Sequence, residues 1–167
     1  TSLPARESCN CNCRIEVVRA GESPAFHTKD DPAREYFGAA EESDPERLSE
    51  IKGELAANQV TIVSRPPSDN ENISYSPAGR SGGGQMHVTD GMSLSAWEHE
   101  LDHFHFDQEL GFPGIASYVQ HPEVWNAMEE RAYGIEIEIA RAAGYDELVE
   151  RLRENLRREL SRRGGAA

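Results

Sequence analysis

The sequence predicts an α+β domain in which a small twisted sheet packs on one histidine-bearing helix and on further long helices. Three observations lead there. Short runs at 60–64, 73–75 and 85–89 have strand length, are rich in β-branched or alternating residues, and are bounded by turn residues. Stretches at 95–110, 122–144 and 145–163 are helix-length, and in the last two apolar residues recur at helical spacing. The first of these stretches contains His99-Glu100-Leu101-Asp102-His103, and histidines four apart share one helix face.

The bounds on this reading come from composition. The chain has 167 residues, 37% hydrophobic and 28% charged, which suits one globular core. A net charge of −13 argues against nucleic-acid binding and against docking on anionic membranes, both of which need clustered Lys and Arg. The excess is uneven, because residues 146–163 hold five acids and six arginines and all the negative surplus precedes them. No apolar run has the length of a bilayer span, and no basic-then-apolar signal opens the chain. Numbering starts at Thr1, so we expect a piece of a longer protein.

Taken in order, residues 1–45 form a Cys-bearing N-terminal segment, 46–163 the principal domain, and 164–167 a tail. Cys9, Cys11 and Cys13 alternate, so an extended strand would put all three on one face. Three thiols fall short of a closed structural zinc site, and a short Cys-bearing tail is the simpler reading. Residues 14–19 read as a strand and 21–32 as loop. A helix starts near Asp44, with Ser43 or Asp44 as cap, Pro45 in its first turn, and Leu48, Ile51 and Leu55 as its stripe. It ends near Asn58, before the strand at 60–64, and Pro66-Pro67 stops that strand. Residues 77–84 hold a glycine run without the order of a phosphate-binding loop, and read as a hinge or hairpin. Ser93 or Ser95 caps the histidine helix, Gly111 and Pro113 end it, and 114–120 is loop. The next helix has Pro122 at its start, Gly144 past its end, and Val124, Met128, Ile135 and Ile139 as its apolar stripe. The last helix carries Leu148, Val149, Leu152, Leu156 and Leu160 on one side of an otherwise charged surface.

H-E-x-x-H is the pattern by which one helical turn supplies two zinc ligands and a general base. His99 and His103 are the candidate ligands for Zn²⁺, and Glu100, next to His99, is the candidate base. A catalytic zinc takes a third protein ligand. Asp107 lies on the same face, but roughly 12 Å along the axis from His99 at the standard helical rise, too far to share the ion, so it reads as a carboxylate supporting the ligands or as a plain surface acid. Glu129 on the second long helix shares a face with Trp125, Ala132, Tyr133 and Glu136, and antiparallel packing would aim it at the histidine pair. Glu130 and Glu136 are its rivals. His105 points to another side of its helix, and His27, His87 and His121 rank below Glu129. Tyr133, Tyr118 and Arg131 are open candidates for stabilising an oxyanion.

The succession of H-E-L-x-H, an acid, a loop, and Glu129-Glu-Arg-Ala-Tyr133 on a long helix resembles the zincin-like metallopeptidase domains of bacterial effector and polymorphic toxins. The resemblance covers residues 84–144, and residues 1–80 match no family. It implies that Glu129, in an E-x-R-A-like segment, is the third ligand, with Arg131 and Ala132 in the later positions. The longer metzincin pattern and the aspzincin pattern are absent. The resemblance also implies a zinc cleft, a protein or peptide substrate, a sheet-edge strand that binds substrate backbone, and a place within a larger secreted or injected protein with a cognate immunity protein. Residues 85–89 are the candidate edge strand. The competing expectation is a non-catalytic acidic binding or immunity-type module, in which the histidines are incidental. A nuclease is disfavoured by the charge.

Overall fold

A computed structural model describes residues 30–67, 73–80 and 82–164. The elements in order are α1 (Arg34–Phe37), α2 (Ala40–Ser43), α3 (Pro45–Ala57), β1 (Val60–Arg65), β2 (Ser74–Pro77), β3 (Gly84–Thr89), α4 (Leu94–Glu109), α5 (Ile115–Gln120), α6 (Pro122–Ala142) and α7 (Asp146–Gly164). The architecture is α+β. The Cys segment, the strand expected at 14–19, His27 and the loop at 68–72 lie outside the described residues.

α3 begins as its sequence dictates: the Asp44 carboxylate accepts from Arg47 N at 2.9 Å and Pro45 occupies the first turn, where a missing N–H costs nothing. Its buried residues Leu48, Ile51 and Leu55 pack on the sheet and on α4. The sheet has the order β1-β3-β2, with β3 parallel to β1 and antiparallel to β2. This corrects the expectation for residues 85–89, which form the central strand rather than an edge. Strand spacing and composition do not say which strand lies outermost; the parallel pairing with β1 decides it. Among the described residues β2 is the edge beside α4. Pro77 fits such an edge, because a residue with no N–H is tolerated where no ladder bond is asked of it.

The glycine run joins β2 to β3 as a hairpin connection. Gly83 and Gly84 have φ of 71° and 142°, and a Cβ there would stand 2.8 Å from Gln59 O and 2.6 Å from Ser76 O. Close backbone approach is therefore what this run supplies.

α4 lies between two apolar layers. Trp97, Leu101 and Phe104 join Ile51, Leu55, Met86 and Val88 in the core with the sheet. On the other side α6 and α7 close a second core of Tyr133, Ala140, Leu148, Val149 and Leu152. Two local readings change here. Residues 115–120, expected as loop, form α5, tied down by the buried Tyr118. On α6, Ile135 and Ile139 are only half-buried, and the buried set is Met128, Glu129, Ala132, Tyr133, Glu136 and Ala140. The covered face of α6 is rotated toward its acids, which turns Glu129 and Glu136 to α4. Among the described residues no helix is long and apolar enough to cross a membrane.

Candidate metal centre

The histidine helix is anchored at its start. Ser93 Oγ accepts from Ala96 N at 3.1 Å, which makes Ser93 the cap. Asp31 holds that cap: its two oxygens accept from Ser93 N and Ser93 Oγ, each at 2.6 Å. Asp31 is fully buried, and burial pushes its carboxyl up from 3.8 to about 6, with the Ser93 hydrogen bonds opposing the rise and Glu136 adding to it. A raised acid pKa means that the fold favours the neutral form. The associated stability is complete below pH 3.8 and is lost as pH climbs through about 6. At neutral pH the buried charge costs up to about 3 kcal/mol. Asp31→Asn keeps an acceptor for Ser93 N and a donor toward Ser93 Oγ, so its stability should gain on wild type as pH rises from 4 to 7. Melting temperatures of both proteins across that range check this, and a constant difference would contradict it.

One and two turns into α4, the His99 and His103 rings stand 4.6 Å apart. α6 runs antiparallel beside them, since Ser95 meets Glu136 while His103 meets Glu129. Glu129 Oε2 lies 3.7 Å from His99 Nε2 and 3.6 Å from His103 Nε2. Glu100 Oε2 accepts from the Tyr75 amide of β2 at 2.6 Å and lies 3.4 Å from His103 Nδ1. All four residues are 5–7% exposed.

His99, Glu100 and His103 form a buried group that can hold a metal ion, their donor atoms lying within 4.8 Å of one another. Two features fit a metal. His103 Nε2 is buried with no hydrogen-bond partner, a state that costs about 1–3 kcal/mol if nothing fills it. Tetrahedral zinc ligands at roughly 2.0–2.1 Å stand about 3.4 Å from one another, close to the separations of Glu129 Oε2 from the two Nε2 atoms. Of the two carboxylates, Glu129 faces both Nε2 atoms, whereas Glu100 is tied to a backbone amide and faces the other nitrogen of His103.

Electrostatics supports a cation-binding cluster. Burial would raise the Glu129 carboxyl, yet His103 and His99 hold it far below the usual carboxylate range. Burial would lower His99, but Glu129 and Glu136 push it well above the usual imidazole value. His103 is also raised: Glu100 and Glu129 outweigh burial and the neighbouring His99.

A second ring of contacts orients these groups. Glu136 Oε1 is 2.8 Å from His99 Nδ1, and Glu136 Oε2 accepts from Ser95 Oγ at 3.0 Å. This leaves Nε2 of His99 to face Glu129, the usual arrangement of a carboxylate behind a ligating imidazole. Trp125 Nε1 donates to Glu129 Oε1 at 2.8 Å, which leaves Oε2 for the histidines. The Tyr133 ring packs edge-on against His99 at 4.7 Å.

Several candidates fall elsewhere. Glu130 is exposed, and Glu136 sits behind His99 rather than beside its Nε2. Asp107 is no surface acid: it is fully buried and takes the hydroxyls of Tyr118 at 2.6 Å and Tyr75 at 3.0 Å, binding α5 and β2 to α4. Arg131 is held by Asp102 at 2.9 Å and Glu109 at 2.7 Å. His105 pairs with Glu54 and the exposed His121 with Glu123. His87 lies half-buried on β3, outside the group. The contributions of Asp31, Tyr75 and Trp125 were not foreseen. Only Trp125 left a sequence signal, one turn before Glu129 on the same helix. No protein-family model matches the chain, and no curated protein or solved structure is similar to it.

Proposed function

We propose that this chain is a zinc-dependent metallopeptidase of the H-E-x-x-H type, with His99, His103 and Glu129 holding the ion. The observation that carries the proposal is the convergence of Glu129 Oε2 on the Nε2 atoms of both histidines, one of them an orphaned buried nitrogen. Zinc in such a position acidifies water and polarises a carbonyl oxygen. Glu100 accepts a proton from the attacking water and returns it to the departing amine nitrogen as the C–N bond breaks. The Tyr75 amide steadies that carboxylate. Glu136 keeps His99 in the tautomer that presents Nε2, and Trp125 holds the Glu129 oxygen that does not face the histidines.

The outer edge of β2 supports a peptide substrate. Among the described strands it is the sheet edge that reaches the site through Tyr75, and an extended peptide can add to such an edge. The resemblance extends the proposal to a toxin or effector domain of a larger bacterial protein, secreted or delivered into a target cell and matched by an immunity protein. The acidic-module alternative gains no support from the site, because incidental histidines would sit in water as His121 does, instead of being buried against carboxylates.

The test is metal analysis joined to cleavage of a peptide library read by mass spectrometry. We expect about one zinc per chain, cleavage abolished by 1,10-phenanthroline, and recovery on adding zinc. Protein that takes up no zinc would overturn the reading. So would zinc-loaded protein that cleaves nothing across the library.

A further inference from the structure

From the placement of Tyr133 we infer that it is a catalytic residue, whose hydroxyl donates a hydrogen bond to the oxyanion developing on the scissile carbonyl. The inference rests on the proposed hydrolytic function and deepens it.

Four groups beside the motif are chemically able to serve, and the contacts separate them. The Tyr118 hydroxyl is spent on Asp107 at 2.6 Å. The Arg131 guanidinium is spent on Asp102 and Glu109. Tyr75, the other phenol near α4, donates into Gly83 O and Asp107. Tyr133 is nine-tenths buried, yet its hydroxyl is not among the fully buried atoms left without a partner, so the phenol tip reaches solvent, where a ligand atom can meet it.

Its position fits that ligand. Tyr133 lies one turn beyond Glu129 on the covered face of α6, with its ring against His99 at 4.7 Å. A phenol, with an ordinary pKa of about 10, is a hydrogen-bond donor at neutral pH. A donor fixed by packing before reaction is the kind of group that stabilises developing charge most effectively.

Tyr133→Phe removes the hydroxyl and keeps the ring on His99. Isothermal titration of zinc-loaded protein with a small panel of N-phosphoryl dipeptides, whose tetrahedral anion mimics the oxyanion, tests the role directly. We expect zinc content and melting temperature to match wild type, while affinity for the phosphoryl group falls roughly 10- to 100-fold. Where a cleaved peptide is known, kcat should fall by about 10²–10³ with little change in KM. Equal phosphoryl affinity in both proteins would overturn the role and leave the hydrolase reading intact, as would no binding to zinc-loaded wild type. Wild-type protein without zinc would instead sink the hydrolase reading, and this role with it.

Discussion

Glu100→Gln should leave a folded, zinc-loaded protein whose peptide cleavage falls by about 10²–10⁴-fold, the range associated with removing a general base. Glutamine has the shape of glutamate and keeps an oxygen for the Tyr75 amide, which now donates to Glu100 Oε2 at 2.6 Å. The edge strand should therefore stay seated on α4. What disappears is the ability to take a proton from water. Zinc content and initial rates, measured on the same preparation, separate the two roles open to this carboxylate. Loss of zinc along with activity would make Glu100 a ligand, as its distance from the imidazole nitrogens allows. Full activity with zinc bound would remove it from the mechanism.

His103→Ala should abolish both zinc binding and the stabilisation that zinc provides. For wild type, zinc at 100 times its dissociation constant adds about 2.7 kcal/mol, or roughly 5–10 °C in melting temperature for a chain of this size. The variant should show no zinc-dependent shift. Its metal-free form should also be less stable, because Glu129 is then left buried with one imidazole in place of two. Deleting one partner of a buried charge cluster costs about 3–5 kcal/mol. Thermal melts with and without zinc check both effects. A variant that still gains wild-type stabilisation from zinc would show that the ion sits elsewhere.

Both experiments turn on residues that were legible as a pattern before any fold was known. The spacing of His99 and His103 is local, and so are the Ser93 cap, the Asp44-Pro45 start of α3 and the Pro122 start of α6. Each depends on residues within a turn or two of one another. Glu129 was legible as a candidate because it shares a helix face with Tyr133 and Glu136, but its rivals were equal to it on spacing alone. They were separated by how α6 rotates against α4: Glu130 points to solvent, Glu136 to the back of His99, and Glu129 to the two Nε2 atoms.

Where the sequence misled, the deciding contact came from another element. Residues 85–89 sit inside the sheet because β1, some 25 residues earlier, pairs with them in parallel. Asp107 reads as a spare acid until Tyr75 and Tyr118 arrive from two other elements to cover it. The segment at 115–120 holds a helix through one tyrosine anchored on α4.

By itself, then, the sequence determined the α+β class and the helix that carries the histidine pair, since periodicity and capping act over a few residues. The tertiary structure alone decided which acid faces the histidines, which strand forms the edge, and which groups hold the rest in place. The contacts of Tyr75 with Glu100, Glu136 with His99 and Asp31 with Ser93 join residues 25, 37 and 62 positions apart, a range that local spacing does not encode.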